Sequence, residues 1–173
     1  PKSAEIFRLM KQQPRFDAAR DDWEFRPTTE LHATGDKKLL EFDVDDARGR
    51  IPVYAGASFN LWDPDAGDPY AYSEPQVLRA HLEGKLERAV RTARSAYYRI
   101  DFLNGELPLD RPRIAFRDVT NQTNSRTTIA ALIPPGTSAT HKAPVLVRRQ
   151  GDERSEAALL GLMASIPFDW FMR

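Results

Sequence analysis

Apolar residues recur along this chain with two periods, and the changes of period mark its elements. From Ser3 to about Gln13, Ile6, Phe7 and Met10 fall at helical spacing behind a Ser3 cap, and Pro14 ends the run. Ser73-Glu74-Pro75-Gln76 reads as a second helix start, with Ser73 at the cap, Pro75 early and Gln76 at the capping-box position. Behind it Leu78, Leu82, Leu86, Ala89, Val90, Ala93, Tyr97 and Ile100 make one apolar stripe, which predicts a long amphipathic helix to about Arg99, closed by Asn104-Gly105. A last helix, capped by Asp152 or Ser155, carries Ala158, Leu159, Leu162, Met163 and Ile166 on one side until Pro167 interrupts it.

Between these helices the period shortens toward two. Glu30–Thr34 and Leu39–Phe42 are short strand candidates around the Gly35-Asp36 turn. Ile51–Gly56 and Ser58–Trp62 read as two strands with a bend at Gly56, and Pro144–Arg148 as another. The strongest strand signal is Arg113–Val119 followed by Thr127–Ile133, joined by the polar segment Thr120-Asn121-Gln122-Thr123-Asn124-Ser125. Its side chains hydrogen-bond their own backbone readily, which predicts an exposed turn with the arginines of the first strand at the margin. Residues Arg15 to Pro27 read as a linker that packs through Phe16, Trp23 and Phe25. Irregular alternation of strands and helices makes the expected class α+β: short strands and hairpins, one long amphipathic helix and a C-terminal helix.

Arg117 and Arg126 flank the polar turn on a stiff support, a suitable way to present fork-shaped donors to phosphate or guanine edges. The residues around them resemble a known signature: Phe116-Arg117-Asp118-Val119-Thr120, Thr123-Asn124-Ser125-Arg126-Thr127, Ile129-Ala130-Ala131 and Ile133-Pro134-Pro135. It is that of the target-recognition half of adenine-N6 DNA methyltransferases, of the type IIG restriction–modification and BREX-like phage-defence kinds. Weaker similarities occur in the same order at Tyr54, Gly56 and Phe59, where Ala55 and Ala57 replace the usual acidic residue and lysine, and over Ala164–Arg173. The resemblance implies sequence-specific recognition of duplex DNA beside a catalytic methyltransferase domain of the same chain. That domain would use S-adenosylmethionine, with no cofactor held in this segment. Residues 1–29 would be the linker from the catalytic domain, and 30–173 a recognition domain truncated at its C-terminus. The DNA-contact candidates are Arg117, Arg126, Asn121, Gln122 and Asn124 at the turn, and Arg88, Arg91 and Arg94 on the long helix for phosphates.

Composition narrows these expectations. The 173 residues suit one domain, and the chain runs from Pro1 to an Arg173 that falls within an apolar pattern, so a piece of a larger protein is expected. Zero net charge hides a split: residues 1–75 carry −5, 76–126 carry +4 and 127–173 carry +1. A basic middle is compatible with a nucleic-acid surface and equally with a solvated helix. No cysteine is present, which excludes disulfides and thiolate metal sites, and a cytoplasmic location without membrane contact is the default.

Catalytic patterns are mostly missing. The one Pro-Pro, Ile133-Pro134-Pro135-Gly136, lacks the polar and aromatic neighbours that hold a flipped adenine, and there is no Gly-x-Gly turn. Pro64-Asp65 with Glu83-Gly84-Lys85 imitates a magnesium nuclease pattern, but residues two apart on a helix point away from each other. His32, His81 and His141 lack metal spacing. The competing reading is a protein-interaction module of a defence complex, with the aromatic N-terminal segment and the C-terminal helix as its surfaces.

Overall fold

Tyr54 and its neighbour Val53 point to opposite sides of one short strand, and the two sides belong to two different cores. The computed structural model describes residues 2–13, 18–19, 23–102, 105–121 and 123–173. Among them the fold is α+β, with strands β1 (Glu24–Thr28), β2 (Ile51–Tyr54), β3 (Ala71–Ser73), β4 (Arg113–Phe116), β5 (Ala130–Ile133), β6 (Ser138–Ala139) and β7 (Val145–Gln150). The helices are α1 (Lys2–Lys11), α2 (Pro75–Ala89), α3 (Glu153–Met163) and α4 (Ile166–Met172). One sheet has the order β1-β7-β4-β5 and is antiparallel throughout; the other, β3-β2-β6, pairs β2 antiparallel to β3 and parallel to β6.

Four layers result. Leu159, Leu160 and Met163 of α3 bury Phe25, Ile114, Ala130 and Leu146 on the outer face of the larger sheet. Alternation sends Ala115, Ala131, Ile133 and Val145 the other way, against Tyr54, Phe59 and Ala139. On the far side of the smaller sheet, Ile51, Val53 and Ala71 pack under Leu78 and Leu82 of α2.

Several elements differ from the pattern-based reading. Glu24–Thr28, expected in the linker, is the edge strand β1 and pairs with β7 along its length. Trp23 and Phe25 do pack, ring against ring at 5.1 Å, while Phe16 lies outside the described residues. Ser58–Trp62 is no strand; β2 takes β3 as its partner instead. Leu31 and Glu41 form only isolated bridges, with Thr140 and Tyr72.

The cap of α2 is Glu74, whose carboxylate accepts the Val77 N–H at 2.7 Å, while Ser73 is buried at the end of β3. That helix also stops ten residues early, at Ala89. The Thr92 hydroxyl donates to the Arg88 carbonyl at 2.8 Å, and the chain turns back until the Arg99 N–H meets the Val90 carbonyl at 3.0 Å. The apolar stripe continues past the break because Ala96 and Tyr97 are buried against Val147, and sidedness alone cannot distinguish this from a continuous helix. On α3 the cap is Asp152, and Leu160 rather than Leu162 is buried.

Candidate nucleic-acid interface

The hairpin of β4 and β5 continues past its strands, since the Arg117 N–H donates to the Ile129 carbonyl at 2.9 Å. Beyond that bond the chain makes a loop whose side chains hold its own backbone. The Thr120 hydroxyl donates to the Thr127 carbonyl at 2.9 Å. Asn121 Oδ1 accepts from the Thr123 N–H at 3.1 Å and from its hydroxyl at 2.5 Å, and the Asn124 N–H closes on the Asn121 carbonyl at 3.1 Å. Asparagine favours such a self-bonded turn, so the polar tip expected from sequence is present. Gln122 lies outside the described residues.

The two arginines flanking the tip are struts rather than open forks. Arg126 donates from Nη2 to the carbonyls of Ala164 and Ser165, at 2.5 and 3.1 Å, where α3 hands over to α4. Its Nε lies 3.5 Å from Asp169 Oδ2. Asp169 Oδ1 in turn accepts the N–H groups of Thr127 and Thr128, at 2.6 and 2.7 Å. Arg173 completes the clamp, donating to the Ser125 carbonyl at 2.7 Å. Arg117 donates to the Phe59 carbonyl at 2.7 Å, and burial holds its pKa below the ordinary guanidinium value. A side chain at Gly56 would come within 3.1 Å of the Lys142 carbonyl and 3.4 Å of Arg117 Cγ, so the glycine admits this arginine. Arg113, expected at the margin, is buried.

The clamped loop leaves two recesses side by side. One, of about 370 Å³, is polar and lined by Thr120, Asn121, Asn124, Thr127, Met172 and Arg173. The other, of about 270 Å³, runs inward between Phe116, Ile129, Leu159, Met163 and Phe168 and shares Thr120, Thr127 and Met172 with the first. Asp169, Arg173 and Thr127 were not among the sequence-derived candidates. Only the partner geometry of the clamp distinguishes them from surface residues, although Asp169 and Arg173 lie in the resembling C-terminal segment.

Arg88, Arg91 and Arg94 are exposed, and among the described residues none of them forms an ion pair. Nearby Arg99 lies over the Tyr98 ring at 5.0 Å. This basic segment is not adjacent to the loop. Arg149 at the far end of β7 donates to the carbonyls of Ala96 and Tyr98, whereas the loop begins where the Phe116 N–H meets the Pro144 carbonyl. The five residue steps from Pro144 to Arg149 separate the two places by about 17 Å.

The nuclease-like residues do not converge: Tyr54 donates its hydroxyl to Asp65, while Lys85 donates to the Glu30 carbonyl at 2.5 Å. The histidines are closer than their spacing implied, with His32 and His141 stacked at 5.3 Å and His81 Nε2 3.3 Å from Asp36. Even so, no group of three or more histidine and acidic side chains among the described residues could hold a metal ion. No helix among them is long and apolar enough to cross a membrane. No protein-family model matches the chain, and neither does any curated protein.

Proposed function

We propose that this chain recognises duplex DNA as the target-recognition part of a larger adenine-N6 DNA methyltransferase. The observation that carries this reading is the clamped polar recess at the loop tip, within the segment that resembles the family. Amides and hydroxyls of Asn121, Asn124, Thr120 and Thr127 surround an open volume of about 370 Å³ on a backbone fixed by Asp169 and Arg126. An asparagine amide matches the N6 and N7 edge of adenine in the major groove, and a fixed backbone keeps that match from costing loop entropy. Arg88, Arg91 and Arg94 would hold phosphates at a separate point and set position rather than sequence. S-adenosylmethionine and the pocket for the flipped base belong, in this reading, to a catalytic domain of the same chain in the cytoplasm.

The decisive experiment is an adenine-methylation map of DNA from cells carrying the parent gene, compared with Asn121→Ala and Asn124→Ala versions. A modified motif that is relaxed or lost in those variants supports the reading. Methylation unchanged in both rejects the loop as the reader. A second reading, a protein-interaction module, is favoured by one feature: Ile6 and Leu9 of α1 and Ile166 and Trp170 of α4 are exposed, beside a Phe7–Phe171 stack at 5.1 Å. Loss of partner capture on Ile6→Asp or Trp170→Asp, with methylation intact, would favour it.

A further inference from the structure

Asn60 and Asp63 exchange backbone hydrogen bonds of 2.8 and 3.0 Å, so Leu61 and Trp62 alone make the turn between them. Trp62 has a φ of 64°, in the left-handed region where such a turn takes Gly or Asn and where a bulky side chain is strained. Core packing does not compensate, because the residue is 60% exposed. Strain of this kind persists where surrounding structure holds a side chain in a required place.

The place is one wall of a recess of about 380 Å³, shared with Leu132, Leu160, Arg111 and Arg148. A second recess of about 350 Å³, with Tyr97, Phe102 and Val147 among its walls, has Arg111, Pro112, Arg148 and Glu156 in common with the first. Along the joined groove the order is therefore indole, two guanidinium groups, then two more aromatic rings. We propose that this groove binds single-stranded nucleic acid, with one base on Trp62, the adjoining phosphate between Arg111 and Arg148, and the next base in the Tyr97–Phe102 recess.

Asp101, Glu153 and Glu156 also line the joined groove, so the phosphate must exchange for carboxylates already beside the arginines. Arg148 is held by Glu153 at 2.8 Å, and the Glu153 side chain is 86% exposed. A solvated carboxylate of this kind is readily exchanged for a phosphate oxygen. Arg111 is held more firmly, by two hydrogen bonds to Glu106 at 2.6 and 2.5 Å. Arg148 Nη1 is buried, 3.7 Å from Glu156, which leaves the Nη2 side of the guanidinium, toward Glu153, for a phosphate. Every base has a flat face, so stacking here carries no sequence preference. The groove adjoins the start of β4 and the loop follows its end, so this site stands apart from the reading of the loop.

The test uses the full chain and a fluorescein-labelled oligothymidylate of roughly ten nucleotides, within the span of known single-strand sites, followed by anisotropy. Thymidine monophosphate and a duplex of the same length are the competitors. Trp62→Gly should weaken binding about tenfold, the loss of one stacked base. Its melting temperature should stay level or rise, because glycine suits the turn. Arg111→Ala should lower the slope of log affinity against log salt by about 0.7. Asn121→Ala should leave the oligothymidylate unaffected, which separates this groove from the loop. Unchanged binding by Trp62→Gly overturns the proposal. So does equal affinity for the mononucleotide, which would restrict the site to free nucleotides, and so does equal competition by the duplex.

Discussion

Glu30 and Arg113 meet inside the protein, with Oε1 and Nε 3.1 Å apart and their side chains only 4% and 7% exposed. Around this pair the two sheets are joined. Arg113 starts β4 and donates to the carbonyls of Pro108, Arg111 and Thr137, at 2.9, 2.8 and 2.5 Å. Glu30 Oε2 accepts from the Ser138 hydroxyl and the Ala139 N–H of β6, at 3.1 and 3.0 Å. A buried ion pair contributes little over an apolar isostere, but removing one partner strands the other charge. Glu30→Gln or Arg113→Met should therefore each destabilise the fold by about 3–5 kcal/mol. The double variant Glu30→Leu/Arg113→Met should lose less than either single change. Urea unfolding of all three checks this, and single variants within about 0.5 kcal/mol of the parent would remove the pair from its tying role.

Asp169 sets the acid limit of the loop. Burial works against its charge, but the amides of Thr128 and Thr127, then Arg126 and Arg173, outweigh that and hold the carboxyl below the usual aspartate range. A depressed folded pKa means that the stabilisation is complete above the unfolded value of about 3.9 and is lost as pH falls through the folded value. Acidification below about pH 4 should thus release the clamp. Asp169→Ala should show a similar loss already at neutral pH, about 1–3 kcal/mol for two stranded amides. Hydrogen exchange at the Thr127 and Thr128 amides is the readout, and protection that persists in Asp169→Ala would refute the clamp.

Glu156 behaves in the opposite sense. Burial pushes its carboxyl above the ordinary glutamate value, and the Arg148 guanidinium only partly restores it. Below the unfolded pKa of about 4.3 the group is neutral in both states, and stability falls as pH rises from there through the folded pKa. Glu156→Gln should consequently be more stable than the parent at pH 7 and equal to it near about pH 4. Thermal melts across that range test the sign. A parent more stable than Glu156→Gln at neutral pH would mean that the ion pair with Arg148 dominates.

The legible parts of this fold are those where local pattern and tertiary packing agree. Arg113–Phe116 against Ala130–Ile133, the strand at Val145 and the helix behind Asp152 follow from alternation and capping. What misled were choices made by distant partners. Glu24–Thr28 contains Arg26 and Pro27 and has no alternation to read, yet it pairs with β7 because Phe25 fills the space under α3. Arg113, Arg117 and Arg126 look alike as basic residues in a strand-turn-strand motif. Carbonyls and carboxylates 24 to 83 residues away bury Arg113 and hold Arg117 and Arg126 half-buried, and no local signal encodes those partners. Asn121 and Asn124 were legible because their turn chemistry is local.

That division between struts and contacts predicts how DNA-binding variants should separate. Arg126→Ala removes two carbonyl bonds and a charge contact, so it should lower stability by about 1.5–3 kcal/mol and weaken DNA binding only through loss of loop order. Joint replacement of exposed Arg88, Arg91 and Arg94 by alanine should leave the melting temperature unchanged. It should weaken binding to all duplexes alike and reduce the salt slope by about 0.9 for each phosphate contact removed. Asn121 Oδ1 is committed to Thr123, so the base-reading prediction falls on Asn124: Asn124→Ala should reduce discrimination between target and non-target duplex, by about 1–3 kcal/mol if it reads an adenine edge in a bidentate way. Anisotropy at several salt concentrations, paired with melts, resolves the three classes. A salt slope unchanged by the triple replacement would clear the basic segment of any phosphate role, and unaltered discrimination in Asn124→Ala would do the same for the loop as a reader of bases.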